Sequence, residues 1–93
     1  IIKLLRQIKL YLITMKDVAI YTTPTCHFCH MAKDFFKEKG ISYSEYNVAS
    51  DETRRNELLE ITGKLAVPVI KIGEDYMVGF SRPAVAEALG IEE

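Results

Sequence analysis

The sequence predicts an α/β domain: a four-stranded mixed sheet with helices on both faces and the element order β-α-β-α-β-β-α. Three features carry this expectation. Two short apolar runs, Asp17-Val18-Ala19-Ile20-Tyr21 and Val67-Pro68-Val69-Ile70-Lys71-Ile72, suit strands buried on both faces. Apolar residues from Phe28 onward recur at helical spacing, and a Gly73-Glu74-Asp75 turn signal separates two short strands late in the chain.

The first run ends at Thr-Thr-Pro, which stops a strand. Phe28, Met31, Ala32, Phe35 and Phe36 then form the stripe of a helix whose opposite side is Lys33, Asp34, Lys37 and Glu38, and Gly40 ends it. Ile41 to Val48 mixes Tyr43, Tyr46 and Val48 with polar residues, as a half-buried edge strand does. Ser50 or Asp51 caps a second helix, Glu52 to Thr62, with Leu58, Leu59 and Ile61 inward and Gly63 at its end. After the Val67–Ile72 and Tyr76–Val78 hairpin, Ser81 caps a last helix with Pro83 in its first turn and Val85, Ala88 and Leu89 inward. A helical crossover makes the first two strands parallel, and the hairpin adds antiparallel ones.

The 93 residues suffice for one domain, assigned to residues 15–93. With 48% hydrophobic and 27% charged residues the composition is that of an ordinary globular protein. The net charge of −1 conceals an asymmetry, since Lys3, Arg6 and Lys9 have no acid near them and leave −4 on the remainder. The Lys and Arg residues beyond position 14 are scattered among the acids, which argues against a nucleic-acid reader.

Residues 1–14 form an N-terminal extension upstream of Met15. They are too short and too charged to span a bilayer, which needs about 20 apolar residues, and too evenly charged for a signal peptide. On a helical wheel Ile1, Leu4, Leu5, Ile8 and Leu12 oppose Lys3, Arg6 and Gln7. The extension therefore reads as a helical segment that packs on the domain or on a second copy, giving a dimer through residues 1–14. A cationic helix for a membrane surface is the alternative.

The two cysteines, Cys26 and Cys29, stand two residues apart at the start of the first helix. So short a loop makes a poor structural staple, and a bond there is suited to being made and broken. Cys26 at the helix N-terminus gains from unpaired N–H groups and the helix dipole, which lower a thiol pKa from about 8.5 to roughly 3.5–7.5. Cys26 is thus the expected nucleophile, and Cys29, one turn in, the shielded resolver that closes the disulfide and frees the reduced target.

His27 and His30 flank the pair, but four ligands within five residues at a helix start cannot converge on one tetrahedral ion, so no metal is expected. His27 reads as an exposed residue whose charged form favours the Cys26 thiolate, and His30 as solvated helix surface.

Tyr21-Thr22-Thr23-Pro24-Thr25-Cys26-His27-Phe28-Cys29, then Val67-Pro68, then Val78-Gly79-Phe80 resemble a glutaredoxin of the thioredoxin superfamily. The resemblance covers residues 16–90 and implies the thioredoxin fold, dithiol–disulfide oxidoreductase activity, a cytoplasmic setting and disulfide-containing protein substrates. It implies that Pro68 is a cis proline beside the active sulfur and that the Val67 backbone pairs with substrate main chain like an added strand; the alternative is that Pro68 opens an edge strand. Thr25, His27, Phe28, Val67, Pro68, Gly79 and Phe80 become the substrate-facing residues. Tyr21 falls where family members place a residue near the dithiol, with core packing the other reading.

Three departures from the family pattern bear on the reductant. Thr23 stands where glutathione-using members carry lysine, Phe80 replaces the second glycine of a Gly-Gly pair, and Ser81-Arg82-Pro83 replaces an acidic turn. Arg82 cannot hold an ammonium group, though it or the nearby helix N-terminus suits a carboxylate. These changes resemble the redoxins that donate electrons to ribonucleotide reductase. Glutathione, used weakly, and thioredoxin reductase are both candidate reductants, with no tightly bound cofactor. A second class, implied by the same family, is a dimeric carrier or sensor holding an Fe–S cluster through the first cysteine and glutathione.

Overall fold

The computed structural model describes residues 17–91. The expected helical extension 1–14 lies outside them. The elements are β1 (Val18–Thr22), α1 (His27–Glu38), β2 (Ser44–Asn47), α2 (Glu52–Thr62), β3 (Val69–Ile72), β4 (Asp75–Val78) and α3 (Arg82–Leu89), in the expected order. The sheet runs β2-β1-β3-β4. β1 pairs parallel with β2 and antiparallel with β3, which pairs antiparallel with β4.

β1 and β3 are central and buried on both faces, so their alternating side chains feed two cores. Val18 and Ile20 of β1 meet Ile70 and Ile72 of β3 beneath α1 and α3, where Ala32, Phe35, Phe36, Val85, Ala86 and Leu89 close the larger core. Tyr21, Val48, Leu58 and Val69 form the smaller core beneath α2. Helices on both faces are what two strands without a solvated side require.

The caps explain where the helices begin and stop. The Asp51 side chain accepts from Arg54 N at 3.1 Å and Ser81 Oγ from Ala84 N at 3.4 Å, satisfying N–H groups that have no intrahelical partner. α2 stops at Gly63, which adopts φ 76° and donates to Leu59 O at 2.8 Å, a left-handed cap that a side chain would oppose. The β3–β4 loop is only Gly73-Glu74, because Asp75 already pairs with Ile72.

Three residues expected inside lie outside. Phe28 is 56% exposed and Met31 and Leu59 are each 40% exposed. On α1 the buried positions are Cys29, Ala32, Phe35 and Phe36. The inward position of the first turn is therefore held by Cys29, and Phe28, about 100° away on the helix, turns outward. α2 buries only Leu58 fully, and Leu59 faces water for the same reason. In α3 Ala86 joins Val85 and Leu89 inside, and Ala88 is only partly buried.

Candidate active site

Cys26 is the N-cap of α1 and its half-buried sulfur accepts from the Cys29 backbone N–H at 3.1 Å. Cys29 is 0% exposed. The two are joined by a disulfide with their Cα atoms 5.2 Å apart, inside the roughly 4.4–6.8 Å span that such a bond takes. Helix spacing alone sets this proximity, so the pair can open and close without moving the backbone far.

The loop that delivers Cys26 is a tight turn. Cys26 N donates to Thr23 O at 3.3 Å around Pro24 and Thr25, and the Thr22 hydroxyl donates to the same carbonyl at 3.2 Å. Two bonds reach this turn from His30. Its backbone N–H donates to Cys26 O at 3.2 Å, and its ring Nε2 lies 3.0 Å from Pro24 O. His30, read from sequence as solvated helix surface, is exposed, and its ring is in addition tied to the loop in front of the dithiol.

The second half of the site comes from the loop before β3. The Val67–Pro68 peptide is cis and Pro68 is buried. Tyr21 is the register partner of Val69, which sets Pro68 level with Thr22, at the mouth of the turn that carries Cys26. The ladders of β3 begin at Val69, so Val67 stands outside them. Gly79 N donates to Pro68 O at 2.8 Å and Gly79 adopts φ 86°, which calls for glycine although a Cβ would meet nothing within 4 Å.

Thr25 and His27 are exposed, and the His27 and Phe28 rings meet edge to face with centroids 5.6 Å apart. Val67 is half-buried against the smaller core. Phe80 is half-buried too, its ring on Phe35 with centroids 5.8 Å apart, so it joins the larger core at its rim. Arg82 is committed elsewhere: its guanidinium donates to Glu38 at 2.7 Å and lies 4.7 Å from the centre of the Phe35 ring. This pair ties α3 to α1 and holds the Glu38 carboxyl below its ordinary pKa by the hydrogen bond and then the charge of Arg82.

Tyr21 is 1% exposed and belongs to the smaller core, not to the dithiol face. Its hydroxyl donates to Glu57, which also accepts from Arg54 Nη1 at 3.1 Å and 3.2 Å. Arg54 in turn lies 3.9 Å from the centre of the Tyr46 ring, and Tyr46 meets Tyr21 edge to face. The sequence offered only the Arg54/Glu57 spacing as a signal for this network. The hydroxyl bond holds Glu57 below its ordinary pKa; burial opposes this and Arg54 reinforces it. Burial first, then Glu57, raises the Tyr21 pKa.

A carboxyl whose pKa is depressed on folding stabilises the fold above its unfolded value, about 4.3 for Glu, and loses that contribution as pH falls through the folded value. Glu57→Gln should therefore flatten the fall in urea stability below about pH 4.5 relative to wild type. Parallel acid limbs in the two proteins would contradict this.

Among the described residues no group of three or more His, Cys, Asp or Glu is placed to hold a metal ion, and no helix is long and apolar enough to cross a membrane.

This sheet order, with its crossovers and helices on both faces, is the thioredoxin fold. A mutant of the thioredoxin-like protein BC3987 superposes with a TM-score of 0.77 at 31% identity, covering 84% of this chain and 100% of that one. The glutaredoxin family model matches residues 18–77. The glutaredoxin-like 8.6 kDa protein in the rubredoxin operon of Clostridium pasteurianum is 37% identical over 68 residues, 73% of this chain and 91% of that one. Glutaredoxin 3 of Escherichia coli K12 is 35% identical over 65 residues, 70% and 78% of the two chains. The chain belongs to the glutaredoxin family and is a thiol–disulfide oxidoreductase.

Proposed function

We propose that the chain reduces protein disulfides and small mixed disulfides through the Cys26–Cys29 pair, with Cys26 attacking and Cys29 resolving. The observation that carries this is the inequality of the sulfurs: Cys26 is half-buried and receives the Cys29 N–H at 3.1 Å, while Cys29 is fully buried. A donor at a helix N-terminus favours the thiolate, the form that attacks.

In the reduced enzyme the Cys26 thiolate attacks one sulfur of the target disulfide. A Cys26–target bond forms and the other target sulfur departs as thiolate. Deprotonated Cys29 then attacks the Cys26 sulfur and expels the second target thiolate, leaving the disulfide seen here. Two electrons pass to the target, and the two protons of the dithiol end on its thiols. The position of Val67, outside the β3 ladders and next to the cis proline, supports a role in pairing with an extended target segment, and in this reading Thr25, His27, Phe28, Gly79 and Phe80 make the further target contacts.

For the reductant, Thr23 in the place of a lysine and the engagement of Arg82 with Glu38 and Phe35 leave little at this end of the fold to hold glutathione carboxylates. Glutathione serves weakly in this reading, and thioredoxin reductase is the principal source of electrons, which sets the enzyme in a reducing compartment such as the cytosol.

Incubating reduced Cys29→Ser with insulin should accumulate a mixed disulfide at Cys26, detected by mass spectrometry; its absence would sink the assignment. Turnover with thioredoxin reductase should exceed turnover with glutathione and glutathione reductase, and equal or reversed rates would overturn the choice of reductant. A brown, dimeric anaerobic preparation would favour the Fe–S reading instead.

A further inference from the structure

We propose that His30 is a positioning residue for Cys26, its ring holding the attacking sulfur over the start of α1 once the disulfide has opened. This rests on the dithiol reading above.

The Pro24 carbonyl can only accept, so His30 Nε2, 3.0 Å away, carries the proton and donates. The same residue donates its backbone N–H to Cys26 O at 3.2 Å. Pro24 and Cys26 flank Thr25, so one helical residue grips the turn on both sides of Thr25. The turn's own bonds are long, Cys26 N and the Thr22 hydroxyl reaching Thr23 O at 3.3 Å and 3.2 Å, and Pro24 and Thr25 are exposed.

Redox state makes the grip matter. In the oxidised chain the covalent bond to Cys29 fixes Cys26 on the helix. In the reduced chain that link is gone, and the sulfur stays near the Cys29 N–H only as long as the turn stays docked. The stabilisation of a thiolate by a helix N-terminus falls off within one turn and depends on donor alignment. A ring that pins the turn to the helix therefore keeps Cys26 ionised in the state that attacks. The ring needs only its N–H for this, and charge is not required. The other titratable groups near it in sequence on α1 are His27, Cys29, Lys33, which pairs with Glu45 of β2, and Asp34, and none of them changes in the variants below.

The test measures alkylation of Cys26 by iodoacetamide in the fully reduced chain, with the site read by mass spectrometry. On the acid side of the Cys26 titration, located in wild type by a rate profile from about pH 3.5 upward, the rate follows the thiolate fraction, and at about pH 10 nearly all thiol is ionised. His30→Ala should slow alkylation on the acid side by roughly three- to tenfold, the worth of one hydrogen bond, and leave the rate at the higher pH unchanged. His30→Gln, which keeps an N–H donor without a charge, should stay within about twofold of wild type at both. His30→Leu serves as a second donorless variant should the alanine protein lose helicity.

Equal rates in wild type and both donorless variants overturn the proposal. So does slowing at both pH values, which indicates altered access, or a His30→Gln as slow as His30→Ala, which indicates charge. A wild-type Cys26 no faster on the acid side than a free thiol overturns the dithiol reading with it, whereas a fast wild type beside an equally fast His30→Ala overturns this inference alone.

Discussion

Cys26→Ser is expected to lower insulin reduction by roughly 1,000-fold or more, the scale on which enzymes lose rate when their nucleophile is removed. The change is small in shape and large in chemistry. Serine keeps an N-cap acceptor for the Cys29 N–H, and serine is among the residues most favoured at that position. The start of α1 should therefore survive, and the thermal midpoint should match that of the reduced wild type. What is lost is an ionisable sulfur, since the donor that stabilises a thiolate cannot bring a hydroxyl into ionisation near neutral pH. An active Cys26→Ser, or an inactive one that had also unfolded, would remove the case for Cys26 as nucleophile. Measuring activity and midpoint on the same preparation separates the two.

How much of this was legible beforehand differs from element to element. The strand and helix order followed from apolar runs and turn residues, because buried strands and capped helices impose local patterns: Asp51, Ser81 and Gly63 each cap where expected. The cysteine pair was legible for the same reason, since helix geometry fixes an i, i+3 contact. The face of α1 was not. Apolar spacing admits both the 28-31-35 and the 29-32-36 lines, and only packing against the sheet reveals that Cys29 takes the inward place and leaves Phe28 exposed. Contacts that join distant segments were invisible for a different reason. Nothing near Arg82 in sequence announces Glu38, and nothing near Tyr21 announces Glu57. The departure of Arg82 from the family pattern suggested a free cation at the substrate end; its actual partner is a carboxylate 44 positions away, at the last residue of α1.

Phe36→Ala is expected to destabilise the fold by about 3–5 kcal/mol, the usual range for deleting a buried phenylalanine. Phe36 is 0% exposed, meets Phe35 edge to face at 6.1 Å and Tyr43 at 5.1 Å between centroids, and its carbonyl accepts Ile41 N at 2.8 Å where the chain leaves α1 for β2. Truncation leaves a cavity among Ile, Val and Phe side chains of the larger core, and the backbone bond to Ile41 limits how far the neighbours can close it. A domain of this size has only about 5–14 kcal/mol in all, so the variant should lose on the order of 20 °C in thermal midpoint and sit near the edge of folding at 37 °C. Phe28→Ala is the control on the same helix. With 56% of its surface exposed, Phe28 should cost no more than about 0.5 kcal/mol to remove, and any effect should appear instead in the KM for protein disulfides, because its exposed ring packs on His27, the residue next to Cys26. Comparable losses of stability in the two variants would contradict the assignment of Cys29, not Phe28, to the inward position of the first turn.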